Sequence, residues 1–149
     1  MRDFARLAVA AWAAGMIFLV LSVAGWFAEA WLMPVSGRPY LVPGQAAQMA
    51  AGFARAGIVL LPLALFPALV LRLAVWLTPL VLTVRKIAVL GGAVPLAGML
   101  LLPHVAETLW APWDYVLTTA ALALIGAAAA WSGWRLAFGP GAELGRRRG

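Results

Sequence analysis

The chain has 149 residues, 65% of them hydrophobic and 11% charged, with a formal net charge of +6 and no cysteine. A mean hydropathy of +0.97 excludes a water-soluble globular domain, and the missing cysteines exclude disulfides, thiolate chemistry, iron–sulfur clusters and Cys-ligated zinc. The eleven cations are scattered over short connections, a pattern that signals membrane topology rather than nucleic-acid binding.

Backbone in hydrocarbon must satisfy its own hydrogen bonds, so the spans are either helices or a closed barrel. Runs such as "LAVAAWAAGMIFLVLSVAG" do not alternate polar with apolar residues, which selects helices over barrel strands. The expected fold is an all-α integral membrane protein, a four-transmembrane-helix bundle with spans near residues 7–32, 56–71, 87–104 and 115–138. A basic tail, 139–149, follows.

The first span opens after a basic start. Its apolar run from Leu7 to Ala28 has 22 residues, longer than the roughly 7–15 of a cleavable signal core, so an uncleaved helix is expected. "MPVSGRPYLVPG" then supplies prolines and glycines that end a helix and build a loop. An Ala-rich segment, "QAAQMAAGFAR", leads into the second span and is able to extend it outward.

The second span poses the main question, because "LRLAVWLTPLVLTVRK" carries Arg72 between two apolar runs. One helix from Ala56 to Val84 would be roughly 43 Å long, too much for one untilted crossing. Ending the span at Leu71 puts Arg72 at the membrane surface, where its side chain snorkels to phosphates. Residues 73–84 then form an apolar interfacial connection, broken by Pro79 and anchored by Trp76. Read instead as an intramembrane charge, Arg72 would need an acidic partner, and no span offers a central one.

Lysines and arginines set the orientation. Arg2, Arg6, Arg85, Lys86, Arg135, Arg146, Arg147 and Arg148 fall on one side, and Arg38 and Arg55 on the other. Eight against two implies both termini in the cytoplasm, in what is expected to be a bacterial cytoplasmic (inner) membrane. Trp26, Trp31, Trp110 and Trp113 then line the outer interface and Trp131 and Trp134 the inner one, with Trp12 fitting less well.

Glu29, His104, Glu107 and Asp114 are expected on the outer side. His104 and Glu107 are three residues apart and share a face if the third helix continues through them. With Glu29 they have the chemistry of a hard or borderline metal site or a proton relay. One histidine without a second nitrogen or sulfur ligand is thin for zinc, and haem across two helices needs two axial ligands. The plainer reading is solvated residues capping helix ends and pairing with Arg38 or Arg55, with no metal and no cofactor. Ser22, Ser36 and Ser132 sit in no nucleophile elbow.

Packing signals are stronger. Ala11 and Gly15, Thr119, Ala123 and Ala127, Gly126 and Ala130, and Gly91, Gly92 and Gly98 provide small-residue faces for close helix approach. Pro62, Pro67 and Pro95 kink their helices.

From about Gly57 onward, "LFPALVLRL" ending a helix at a basic residue, "VRKIAVLGG" opening the next, and "GPGAELG" after the last helix resemble a bacterial family of small four-helix membrane proteins of unknown activity. The resemblance implies a fold and topology and carries no functional residue. The expected function is non-enzymatic: an accessory or assembly subunit in the lipid bilayer, packed against larger membrane partners or itself. The alternative is a small oligomeric transporter or channel with Arg72 or Glu29 as its pathway charge.

Overall fold

The computed structural model describes residues 2–32, 45–101 and 112–145, with side chains at 2–25, 48–98 and 116–145. The described residues form four helices: α1 (Arg2–Leu32), α2 (Gln45–Leu77), α3 (Val84–Leu101) and α4 (Pro112–Phe138). Two short strands, β1 (Leu82–Thr83) and β2 (Glu143–Leu144), pair antiparallel. Three of the helices contain stretches long and apolar enough to cross a membrane, Arg2–Gly25, Gln48–Leu77 and Val116–Phe138. The protein is therefore an integral, all-helical membrane protein.

The helices are neighbours in the order α2, α1, α4, α3. Among the described residues α2 makes no extensive contact with α3 or α4, so the α2–α3 edge of a closed four-helix ring is not formed. Small residues explain the tight pairs. A Cβ on Gly91 would meet the Gly126 carbonyl at 2.6 Å, and one on Gly133 would meet the Ala14 nitrogen at 2.8 Å. Backbones this close are possible only without side chains, and in lipid such close van der Waals packing drives helix association. Gly92 faces Ala123 and Ala127 in the same manner, whereas a Cβ on Gly98 would meet no atom of the described residues within 4 Å.

α2 departs from expectation at both ends. It begins at Gln45, so the Ala-rich segment is helical, and it runs through Arg72 to Leu77 rather than stopping at Leu71. A charge does not end a helix; loss of backbone donors does. Pro79 supplies that loss, and the Thr78 hydroxyl donates back to the Ala74 carbonyl as the last turn closes. Pro62 and Pro67 lie inside α2 without ending it, as membrane helices tolerate.

Residues 73–84 therefore do not form a separate surface segment: 73–77 belong to α2 and 84 opens α3. Their apolar character has a different cause. Val75 and Leu82 are buried with Leu7, Ala68, Ile87, Trp134 and Leu144 in a core at the end where α1 starts and α2 and α4 finish. Thr83 caps α3, its hydroxyl accepting the Lys86 N–H at 3.4 Å.

The tail closes this core from below. Gly139 adopts φ +87° and donates its N–H to the Arg135 carbonyl at 2.9 Å, a left-handed helix stop that favours glycine. The chain then turns back through Pro140 and Gly141 so that Leu144 pairs with Leu82. Gly145 lies so near the connection that a Cβ would stand 2.9 Å from the Val81 Cα. Leu144 is 9% exposed, and Leu144→Asp is expected to cost about 3 kcal/mol through a buried unpaired carboxylate. Denaturant titration in mixed micelles measures this; an unchanged midpoint would mean the tail is not part of the core.

Candidate functional site

Six of the seven described cations, Arg2, Arg6, Arg72, Arg85, Lys86 and Arg135, lie toward one end of the helix set, the end that holds the core and the β1–β2 pair, with Arg55 away from it. Arg72 faces Asp3 of α1, with Nη1 to Oδ2 at 3.8 Å and side-chain exposures of 42% and 47%. Its partner sits in the first turn of α1, so Arg72 is level with the helix terminus and not with its middle. An ion pair this exposed contributes little stability. Lys86 donates from Nζ to the Val81 carbonyl at 2.8 Å, tying the start of α3 to the connection. The Arg135 guanidinium lies over the Trp131 ring, 4.6 Å from its centroid, a cation–π arrangement on the outer surface of α4.

The tryptophans divide into two kinds. Trp131 is 42% exposed and fits an interfacial belt. Trp134 lies at the expected end but inside the protein, 1% exposed, stacked on Phe138 with ring centroids 4.3 Å apart. Its indole N–H points to the Ala142 carbonyl at 3.4 Å, so it holds the tail rather than the lipid interface.

Trp12 also finds its explanation here. Its indole nitrogen donates to the Gly57 carbonyl at 2.8 Å, joining α1 to α2 across 45 residues of sequence. Gly57 lies against α1 here, and an added Cβ would stand 3.4 Å from the Met16 sulfur, an ordinary contact distance. Sequence reading missed this pair, and the misfit of Trp12 with an interface belt was its available signal. Trp12→Phe is expected to weaken the fold by about 1 kcal/mol, the usual worth of one interhelical hydrogen bond in lipid. Thermal unfolding in detergent reads it, and no shift would mean the bond adds nothing.

The contacts between α1 and α2 fix their relative register. Asp3 lies beside Arg72, Gly15 beside Leu60, and Trp12 and Met16 beside Gly57. Continuing that antiparallel register by half a turn brings Arg55 level with about residues 17–20 of α1. Along α2 itself Arg55 and Arg72 are roughly 25 Å apart, so with Arg72 at one membrane surface Arg55 stands near the opposite one. Arg55 is exposed and points away from the seam that holds α2.

The outer cluster is not brought together by described side chains. His104 and Glu107 lie outside the described residues; Glu29 and Asp114 belong by backbone to α1 and α4, with side chains outside them. Among the described residues no group of three His, Cys, Asp or Glu is placed to hold a metal. Two buried hydroxyls, of Ser22 and Thr119, have no hydrogen-bond partner among the described residues. No family model, no curated protein and no solved structure matches the chain.

Proposed function

We propose that the protein is a non-enzymatic accessory or assembly subunit of a membrane complex. The observation that carries the reading is the one-sided packing of α2. Gly57, Ala64, Ala68 and Val75 bury one seam against the rest of the protein, and the remainder of the helix presents Ile58, Phe66, Leu69 and Trp76 outward. A helix held along one narrow stripe at the edge of a row offers a free side to a larger membrane protein.

In this proposal α3 is the fourth span. Its 18 residues measure roughly 27 Å, close to the thickness of a hydrocarbon core. The cation-rich end faces the cytoplasm of a bacterial inner membrane, with both termini inside. Arg146, Arg147 and Arg148 follow directly in sequence from the anchored Gly145 and add to that charge.

Arg72 is then a surface anchor rather than a pathway charge. Arg72→Gln is expected to leave membrane abundance unchanged and stability within about 1 kcal/mol of the native chain, measured by quantitative blotting and unfolding in micelles. A severe loss of either would restore Arg72 as a functional group. The proposal as a whole is tested by purification from its native membrane in mild detergent. A stoichiometric membrane protein that stays bound supports it, and a chain that elutes alone as a homo-oligomer conducting ions in vesicles would replace it with a channel.

A further inference from the structure

We infer that Arg85 and Arg135, with Trp131 beside them, bind the headgroup of an anionic phospholipid on one face of the α3–α4 pair. The site lies on different helices from the α2 side offered to a larger membrane protein and does not depend on that reading.

Helix periodicity puts the two arginines on one face. A Cβ on Gly92 would stand 3.5 Å from the Ala127 Cβ, so these two positions mark one edge of the α3–α4 seam, and Gly91 and Gly126 meet along the other. Arg85 precedes Gly92 by about two helical turns and lies on its strip. Trp131 and Arg135 follow Ala127 by about one and two turns, rotated outward by about 40° and 80°. The helices are antiparallel, so Arg85 is level with Trp134, the neighbour of Arg135. Two arginines thus leave adjacent helices at one level and on one side, from axes about 8 Å apart.

Charge says what belongs between them. Both are exposed, and among the described residues neither forms an ion pair; the salt bridge at this end joins Arg72 to Asp3. Glu143, opposite Thr83 in the strand pair, is within salt-bridge reach of neither. Lys86 is held internally by the Val81 carbonyl. Guanidinium groups this close repel one another unless an anion bridges them, and their N–H forks match phosphate oxygens. The Arg135 guanidinium lies over the Trp131 ring, 4.6 Å from its centroid, held by its face with its N–H edge left for an acceptor.

Toward the middle of the helices the same face suits acyl chains. Gly92 and Ala127 make a floor of small residues, and Val89 and Leu124, 71% and 72% exposed, flank it. Paired cations, an interfacial indole and an apolar furrow follow in the order of a phospholipid's phosphate, glycerol and chains. A basic pocket between membrane helices favours a lipid with net negative charge.

The test uses the full-length protein in neutral detergent micelles, titrated with phosphatidylglycerol or with phosphatidylcholine, the first bound lipid being counted by native mass spectrometry. Phosphatidylglycerol is expected to bind about fivefold more tightly, the worth of one arginine near an anionic surface. Combining Arg85→Gln with Arg135→Gln is expected to bring the ratio to about twofold or less. Arg2→Gln with Arg6→Gln removes the same charge from the same end on a single helix and is expected to leave the preference intact. Equal binding of the two lipids overturns the inference. So does a preference that survives the Arg85 and Arg135 substitutions, or one that falls equally in both double variants, which would make it a property of diffuse charge.

Discussion

Replacing Gly126 with leucine is expected to be the most damaging single change in the described interior, costing about 3 kcal/mol or more. The position allows no side chain. A Cβ there would run into the Gly91 backbone and stand 3.0 Å from the Pro95 ring. Neither obstacle is the flexible end of a side chain, so relief requires α3 and α4 to move apart. Their contact is the most extensive between any two helices of the chain, and lipid provides no hydrophobic drive to restore it. The comparison is Gly52→Leu, at a position with no described atom within 4 Å of the added one, which is expected to be neutral or mildly stabilising through helix propensity. Reversible unfolding in mixed micelles distinguishes the two. Equal effects would mean that the glycine contact does not govern the α3–α4 pair.

Arg55→Leu is expected to change the apparent free energy of membrane insertion of α2 by about 1 kcal/mol or less, because Arg55 stands roughly 25 Å along α2 from Arg72 and is near the opposite surface when Arg72 is at one. Arg72→Leu is expected to change it by about 1 kcal/mol or less, because that residue is level with Asp3 at the start of α1. Glycosylation mapping of full-length chains with each substitution makes the comparison. A gain of about 2.5 kcal/mol or more from either substitution would put that residue at the span's centre instead.

The spans nearest the termini of the chain were legible because nothing within them contradicts continuous hydropathy. The extent of α2 was not, since Arg72 suggested a boundary by its polarity while the helix is ended by Pro79 and the Thr78 turn. Small-residue contacts were legible at Gly91, Gly92 and Gly126, but not at Gly133, whose partners Ala10 and Ala14 lie in a distant helix. The β1–β2 pair left no periodicity, for two residues define no pattern and their partners are about sixty positions apart. Counting charges by loop put Arg55 on the side opposite Arg72, and its distance of roughly 25 Å from Arg72 along one continuous helix is compatible with that. The outer candidates Glu29, His104 and Glu107 remain readings of residue type, their side chains lying outside the described residues.

Depth measurement on two positions of α2 bears most directly on the arrangement. The chain has no native cysteine, so a nitroxide on Leu63→Cys and one on Leu73→Cys each report a single site in reconstituted vesicles. Relaxation by oxygen, which concentrates in hydrocarbon, and by a water-soluble nickel complex is expected to place residue 63 near the bilayer centre and residue 73 among headgroups. The reverse order, with residue 73 deep in hydrocarbon and residue 63 at the surface, would contradict the placement of Arg72 as a surface anchor.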